Sequence, residues 1–227
     1  MLKRELLDTA DLPGGESLRL IRRGEEHSIM LGANELMNSR MSGSEEALAT
    51  LGIDAMPESD APHILIGGLG MGFTLKAALD ALGPKARVTV AELVPAVYKW
   101  AQGPLAHFYG ASLTDARVAI ELDDVRHLIE PEKGAYDAIL LDVDNGPDGI
   151  SQAENDWLYS GRGLHSAKSA LKPGGVLAIW SAQSDPAFTR RMIKCGFDTK
   201  ELPARAHIDG KRGGRGARHV IWLGVRR

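Results

Sequence analysis

The chain has 227 residues, enough for one sizeable α/β domain or for such a domain with a small appendage. With 44% hydrophobic and 25% charged residues it has the composition of a folded soluble protein, and no apolar run approaches the roughly 20 residues of a membrane helix. One cysteine, Cys195, rules out an internal disulfide and a cysteine metal cluster, while the net charge of −3 conceals a basic end: residues 203–227 hold seven Lys/Arg and one acid, Asp209.

Taken in chain order, the N-terminal "MLKRELLDTADLPGGES" lacks the apolar core of a signal peptide, so a cytoplasmic protein is expected. Residues 17–31, "SLRLIRRGEEHSIML", read as two short strands around a polar turn at Gly24-Glu25-Glu26. "SGSEEALATLG" predicts a helix with Ser44 as N-cap, Glu45 and Glu46 in its first turn and Gly52 as its stop. From residue 63 strands and helices alternate. "HILIGG", "RVTVAEL", "RVAIELDD", "YDAILLDVD" and "GVLAIWSA" are strands, each followed by a helical segment. Cys195 falls at the end of the last of these helices and reads as a small buried residue. "FDTKELPAR" and "RHVIWLGV" have no helix between them and predict an antiparallel edge pair, joined by the basic loop "AHIDGKRGGRGA".

Near-continuous apolar strands with helix-length connections are the mark of a sheet covered on both faces. The expected fold is therefore α/β: a doubly wound, seven-stranded, mostly parallel sheet at residues 41–227, preceded by a small N-terminal β-domain at 1–40. Ligands in such sheets bind beyond the carboxyl ends of the strands, at the topological switch point.

The stretch "ILIGGLGMGFTL", residues 64–75, places Gly68, Gly70 and Gly72 between the first strand of this series and its helix. In that context a glycine turn admits a nucleotide or nucleoside beside free helix N–H groups. The place of the third glycine of a dinucleotide turn is Phe73, and no Gly-Lys-Ser/Thr follows, so neither a dinucleotide nor a nucleoside triphosphate is indicated. Glu92 ends the second strand about 20 residues on, where an acid accepts ribose hydroxyls. Asp123, with Asp124, ends the third strand and can accept from an adenine amino group. Together these point to an adenosine without phosphates. The alternative for Glu92 and Asp123 is helix capping.

"ILIGGLGMG", "VTVAEL", "LDD", "YDAILLDVDNGP" and "ALKPGGVLAIWSA" resemble, in order and spacing, the S-adenosylmethionine-dependent methyltransferase fold and specifically its spermidine synthase branch. The resemblance spans most of the chain, including the N-terminal strands. It implies decarboxylated S-adenosylmethionine as aminopropyl donor, putrescine as acceptor and a homodimer. It also implies Glu92 at the ribose, Asp123 at the adenine, and Asp142 as the aspartate that orients or deprotonates the attacking amine.

Several positions depart from that family. Met71 stands where its glycine turn has an aspartate. Its Asp-x-x-Asp becomes Asp142-Val-Asp144-Asn145, so the second acid is replaced by Asn145 or, with a one-residue slip, supplied by Asp144. Arg40 and Met41 lie where acids are expected and Ser44 where a tyrosine is, which leaves Glu46 as the matching acid. An arginine beside the acceptor disfavours a dication, since buried charges need partners. With the basic loop, including Arg212 and Arg215, it points to an anionic acceptor. Tyr159, near Trp157, is placed on a segment covering the acceptor pocket, with ordinary helix packing as the alternative.

Three functions follow: aminopropyl or related alkyl transfer, methyl transfer from S-adenosylmethionine to a small anionic acceptor, and nucleoside binding without catalysis. The scattered histidines predict no metal. The net negative charge and the absence of aromatics among the C-terminal cations disfavour nucleic acid.

Overall fold

The computed structural model describes residues 2–12, 15–143, 156–207 and 215–227. It opens with four antiparallel strands, β1 (Arg4–Asp11), β2 (Ser17–Arg23), β3 (Glu26–Leu31) and β4 (Asn34–Asn38), in the order β1-β2-β3-β4. β2 and β3 are the pair read from the sequence. β1 and β4 were not anticipated, because "RELLDTAD" and "NELMN" interrupt their apolar residues with charged and polar ones and show no clean alternation. Alternation drives the inner pair: Leu18, Leu20, Ile29 and Leu31 all point inward and are buried. Each such side chain contributes about 1.5–3 kcal/mol of burial. They join the core of the larger sheet and not a separate one. Trp100 clamps the two parts together, its indole N–H donating to Asp8 Oδ2 on β1 at 2.8 Å.

Helix α1 (Gly43–Asp54) follows. Its N-cap position is Ser42, not Ser44, which is the second helical residue and fully buried. Gly52 does not end the helix but lies inside it, where its missing side chain lets α1 settle on the sheet. A Cβ there would stand 2.5 Å from Leu140 Cδ2.

The large sheet has seven strands in the order β10-β11-β9-β8-β5-β6-β7. They are β5 (His63–Gly67), β6 (Arg87–Ala91), β7 (Val118–Glu121), β8 (Tyr136–Leu141), β9 (Leu171–Ser181), β10 (Phe197–His207) and β11 (Arg215–Arg226). The first five run parallel, and β11 is antiparallel to both β9 and β10. This is the doubly wound sheet with an antiparallel edge pair that the strand order predicted.

Side chains alternate between two cores. Ile64, Ile66, Ala138 and Leu140 face one, with α1, α2 (Phe73–Ala81) and α3 (Pro95–Gln102). Leu65, Ile139 and Leu141 face the other, with α5 (Val125–Ile129), α7 (Gly161–Ala170) and α8 (Pro186–Lys194). Between them the chain adds the single turns α4 (Ala106–Tyr109) and α6 (Asp156–Tyr159). Cys195, closing α8, is buried, and burial pushes its thiol pKa up; both fit a packing role. Strand order reverses between β5 and β8, so the switch point opens beside Gly67 and Gly68.

Candidate active site

At the switch point lies a cavity of about 190 Å³. One wall is the glycine turn. Gly68, Gly70 and Gly72 all have positive φ, at 89°, 51° and 80°. Two of the three are demanded by neighbouring chain. A Cβ on Gly68 would stand 2.2 Å from the Asp142 carbonyl oxygen, and one on Gly72 would stand 2.4 Å from the Tyr109 ring. Tyr109 also donates its hydroxyl to the Gly70 carbonyl at 2.6 Å, so the turn is braced from below. The bare backbone that results forms part of the cavity lining.

Glu92, just past β6, is buried. Its Oε2 accepts from Leu69 N–H at 3.0 Å and its Oε1 from Val94 N–H at 2.8 Å. Burial raises its pKa, against the pull of these backbone donors. The carboxylate thus ties the glycine turn to the start of α3 while still lining the cavity. Asp123 also lines it, and binds His127 Nδ1 at 2.8 Å, a bond that holds the Asp123 pKa down and the His127 pKa up. Asp124 caps α5, accepting from Arg126 N–H at 2.8 Å. Capping and cavity lining therefore coincide in this corner.

Asp142, at the end of β8, accepts from the Thr74 hydroxyl at 2.7 Å. Desolvation lifts its pKa to about 6. Glu45 reaches the same cavity from α1. Burial, and then the charge of Asp142, raise its pKa to about 7. Glu46, the acid singled out from the sequence, is not part of this wall; the neighbouring residue is. The signal was present in the "SEEA" pair but gave no reason to prefer Glu45.

Other expectations are corrected. Arg40 does not approach the cavity. It ion-pairs with Glu26 and Glu35, both at 3.7 Å, beside a separate groove on the N-terminal sheet. Tyr159 is buried in the core against Phe188, with ring centroids 5.7 Å apart, rather than placed over the cavity. Asp144, Asn145 and Arg212 lie outside the described residues, as does the side chain of Arg215. Among the described residues the titratable groups lining the cavity are five acids (Glu45, Glu92, Asp123, Asp124 and Asp142), without a lysine, arginine or histidine. The opposite wall is apolar and comes from the N-terminal sheet, with Leu18, Ile29, Leu31 and Met37. Sequence reading also missed Thr74, Tyr109 and Trp180, because none carries a local motif.

A switch-point cavity over a glycine turn, with an acid at each of the next strand ends, defines the class I S-adenosylmethionine-dependent methyltransferase fold. With the small N-terminal sheet added, the chain has the fold of spermidine synthases. It is similar over its whole length to the spermidine synthase of Thermotoga maritima (TM-score 0.77, 16% identity, 75% of that chain covered). It is similar to the same extent to a spermidine synthase in complex with the transition state analogue AdoDATO (TM-score 0.76, 16% identity, 74% of that chain covered). A probable spermidine synthase from Corynebacterium glutamicum matches 98% of this chain and 81% of its own, with a TM-score of 0.66 and 17% identity.

By sequence the chain is 29% identical over 130 residues to the polyamine aminopropyltransferase of Sulfolobus acidocaldarius, covering 57% of this chain and 41% of that protein. It is 30% identical over 130 residues to polyamine aminopropyltransferase 2 of Pseudomonas aeruginosa, covering 55% of this chain and 35% of that protein. The match thus spans less than half the length of either curated relative. No protein-family model matches the sequence.

Proposed function

We propose that the protein is a transferase that moves an aminopropyl group from decarboxylated S-adenosylmethionine to an amine acceptor. The observation that carries this reading is the charge of the cavity. Its described titratable walls are all carboxylates, and three of them, Glu45, Glu92 and Asp142, have pKa values raised by burial. Such a wall suits a sulfonium and ammonium groups, since a buried carboxylate is stabilised by a paired cation. The aminopropyltransferases among the relatives agree with it. An anionic acceptor, the alternative drawn from Arg40 and the basic loop, finds no cation among the described lining residues.

In this reading the adenosine lies over Gly68, Gly70 and Gly72, with Glu92 accepting from the ribose hydroxyls and Asp123 and Asp124 facing the adenine. Asp142 orients and deprotonates the acceptor amine, whose lone pair displaces the thioether in line. Holding the two reactants in register supplies most of the acceleration for such a displacement. Asp142→Asn should leave donor binding intact and lower kcat by roughly 10²–10⁴-fold, the range for a positioned base. The deciding experiment combines calorimetry with decarboxylated S-adenosylmethionine, S-adenosylmethionine and methylthioadenosine with turnover assays on putrescine and other amines. Tighter binding of S-adenosylmethionine than of its decarboxylated form, with methyl transfer, would replace this reading. The same reading includes a homodimer in the cytoplasm. The described helices include none long and apolar enough to cross a membrane.

A further inference from the structure

We propose that Glu45, Ser44 and His219 form a relay that carries the proton released by the acceptor amine from the cavity to β11, within the antiparallel pair that ends the large sheet. The proposal rests on the transferase reading of the same cavity. Its support is a hydrogen-bonded path from Glu45 through Ser44 to His219 that the reaction as described above does not use.

Ser44 is fully buried in the first turn of α1. Its hydroxyl donates to Glu45 Oε2 at 2.7 Å and stands 2.8 Å from His219 Nδ1. His219 belongs to β11, 175 positions away in the chain. Its ring packs edge-on against Trp180, with centroids 4.7 Å apart, and Trp180 itself lines the cavity. His219 is only partly buried, so the path starts at a cavity carboxylate and ends at a ring within reach of water. A hydroxyl has one hydrogen and can both donate and accept, so this path runs in either direction. With Glu45 ionised, Nδ1–H donates to Ser44 and Ser44 to Glu45. With Glu45 protonated, the carboxyl donates to Ser44 and Ser44 to Nδ1.

The chemistry leaves one proton per turnover. The acceptor ammonium gives a proton to Asp142, and the freed nitrogen lone pair forms the new C–N bond. The C–S bond breaks with its electron pair going to sulfur, which leaves as a neutral thioether. The new secondary ammonium keeps its charge, so the lost sulfonium charge is balanced by the proton on Asp142. Glu45, which lines the same cavity and feels the charge of Asp142, takes that proton through cavity water and passes it to Ser44. The Ser44 proton moves to Nδ1 of His219, and the ring releases its Nε2 proton to solvent. Asp142 is thereby ionised for the next ammonium.

The titratable groups bearing on Glu45 are Asp142 at the end of β8 and Glu46 in its own helix. Burial alone acts on His219, lowering its pKa, and the residue opposite it on β10 is Ala204. Arg218 and Arg205 face each other one position further along. Those side chains point to the opposite face of the sheet, so it is burial that disfavours the charged imidazole and suits it to pass a proton on rather than keep it.

The experiment compares Ser44→Ala, His219→Gln and His219→Phe with the parent enzyme. For Ser44→Ala and His219→Phe, kcat should fall roughly 10-fold, less than loss of a direct base would cause, with methylthioadenosine affinity unchanged. Added imidazole should restore His219→Phe in a concentration-dependent way. His219→Gln keeps a hydrogen-bonding side chain but cannot pass a proton, so it should be as slow as His219→Phe. Full activity in His219→Gln, or no imidazole rescue, overturns the relay and leaves a structural brace. A second measurement does not depend on turnover. In the ligand-free protein the His219 ring resonances should show an inflection near pH 7 from Glu45, lost in Glu45→Gln and in Ser44→Ala. Its absence in the parent overturns the relay. Its presence without aminopropyl transfer overturns the transferase reading instead.

Discussion

Glu45 and Glu92 are both buried acids with raised pKa values, but their surroundings give them different parts. Glu92 accepts a backbone N–H on each oxygen, which opposes the upward pull of burial on its pKa, and it has further lone pairs to offer a ligand. Replacing it with alanine should weaken methylthioadenosine binding by about tenfold or more, the cost of a lost charge-assisted bond; calorimetry showing unchanged affinity would remove Glu92 from the site. Glu45 instead faces Asp142 across the cavity. A carboxyl whose pKa rises on folding binds its proton more tightly in the folded state. Its stabilising effect is therefore complete below the unfolded value of 4.5 and is lost as pH rises through about 7. In the ligand-free protein, Glu45→Gln should raise Tm by a few degrees at pH 8 and change it little near pH 4.5. That scale follows from about 1.4 kcal/mol per pKa unit, reduced by the water the cavity admits. Equal Tm shifts at both pH values would show that Glu45 is not under this strain.

The glycine turn shows how an element can be shaped by packing while its backbone lines a cavity. Gly68 and Gly72 have no room for a Cβ because β8 and Tyr109 press against them, whereas Gly83, after α2, has nothing within 4 Å. Gly72→Ala should therefore cost about 2 kcal/mol or more through strain and overpacking. Gly83→Ala should stay within about 0.5 kcal/mol. Thermal unfolding of the two variants side by side decides this, and similar Tm values would mean the Tyr109 ring yields freely. The α1 helix is a second case. Its Gly52 contact with Leu140 brings the helix onto the sheet, which is what carries Glu45 to the cavity mouth.

For the molecule as a whole, the N-terminal sheet is the element that separates this fold from a bare α/β sheet. Its inward Leu18, Leu20, Ile29 and Leu31 share one core with α1, α2 and α3, so the inner face of β2 and β3 is buried by its own chain. Two isolated strands would be marginal in water, but here no partner subunit is needed to cover that face. The proposed homodimer rests on the resemblance and on the outer strand β1, which among the described residues is an unpaired sheet edge, with Leu2 and Leu6 exposed. Light scattering at micromolar concentration should give twice the 24.4 kDa chain mass, and a monomer would refute the dimer.

The order of strands and helices from residue 63 onward, the antiparallel edge pair, the glycine turn and the strand-end acids Glu92, Asp123 and Asp142 were all legible in the sequence. Each is announced by a local signal: an apolar run, a turn residue, or a carboxylate placed where such a run stops. The rest depended on contacts between distant parts of the chain. A helix turns about 100° per residue, so composition could not tell whether Glu45 or Glu46 faces inward; the seating of α1 on β8 and β9 decided it. Arg40 reads as a cavity residue from its place between motifs, but the turn after β4, where its N–H donates to Asn38 Oδ1, sets it beside Glu26 and Glu35. Tyr159 looked like a pocket residue because it follows the fourth strand closely, yet the helix that carries it packs against α8. Ser44 and His219 have no sequence relation at all, and only the closing of β11 against β9 brings the imidazole to the buried hydroxyl.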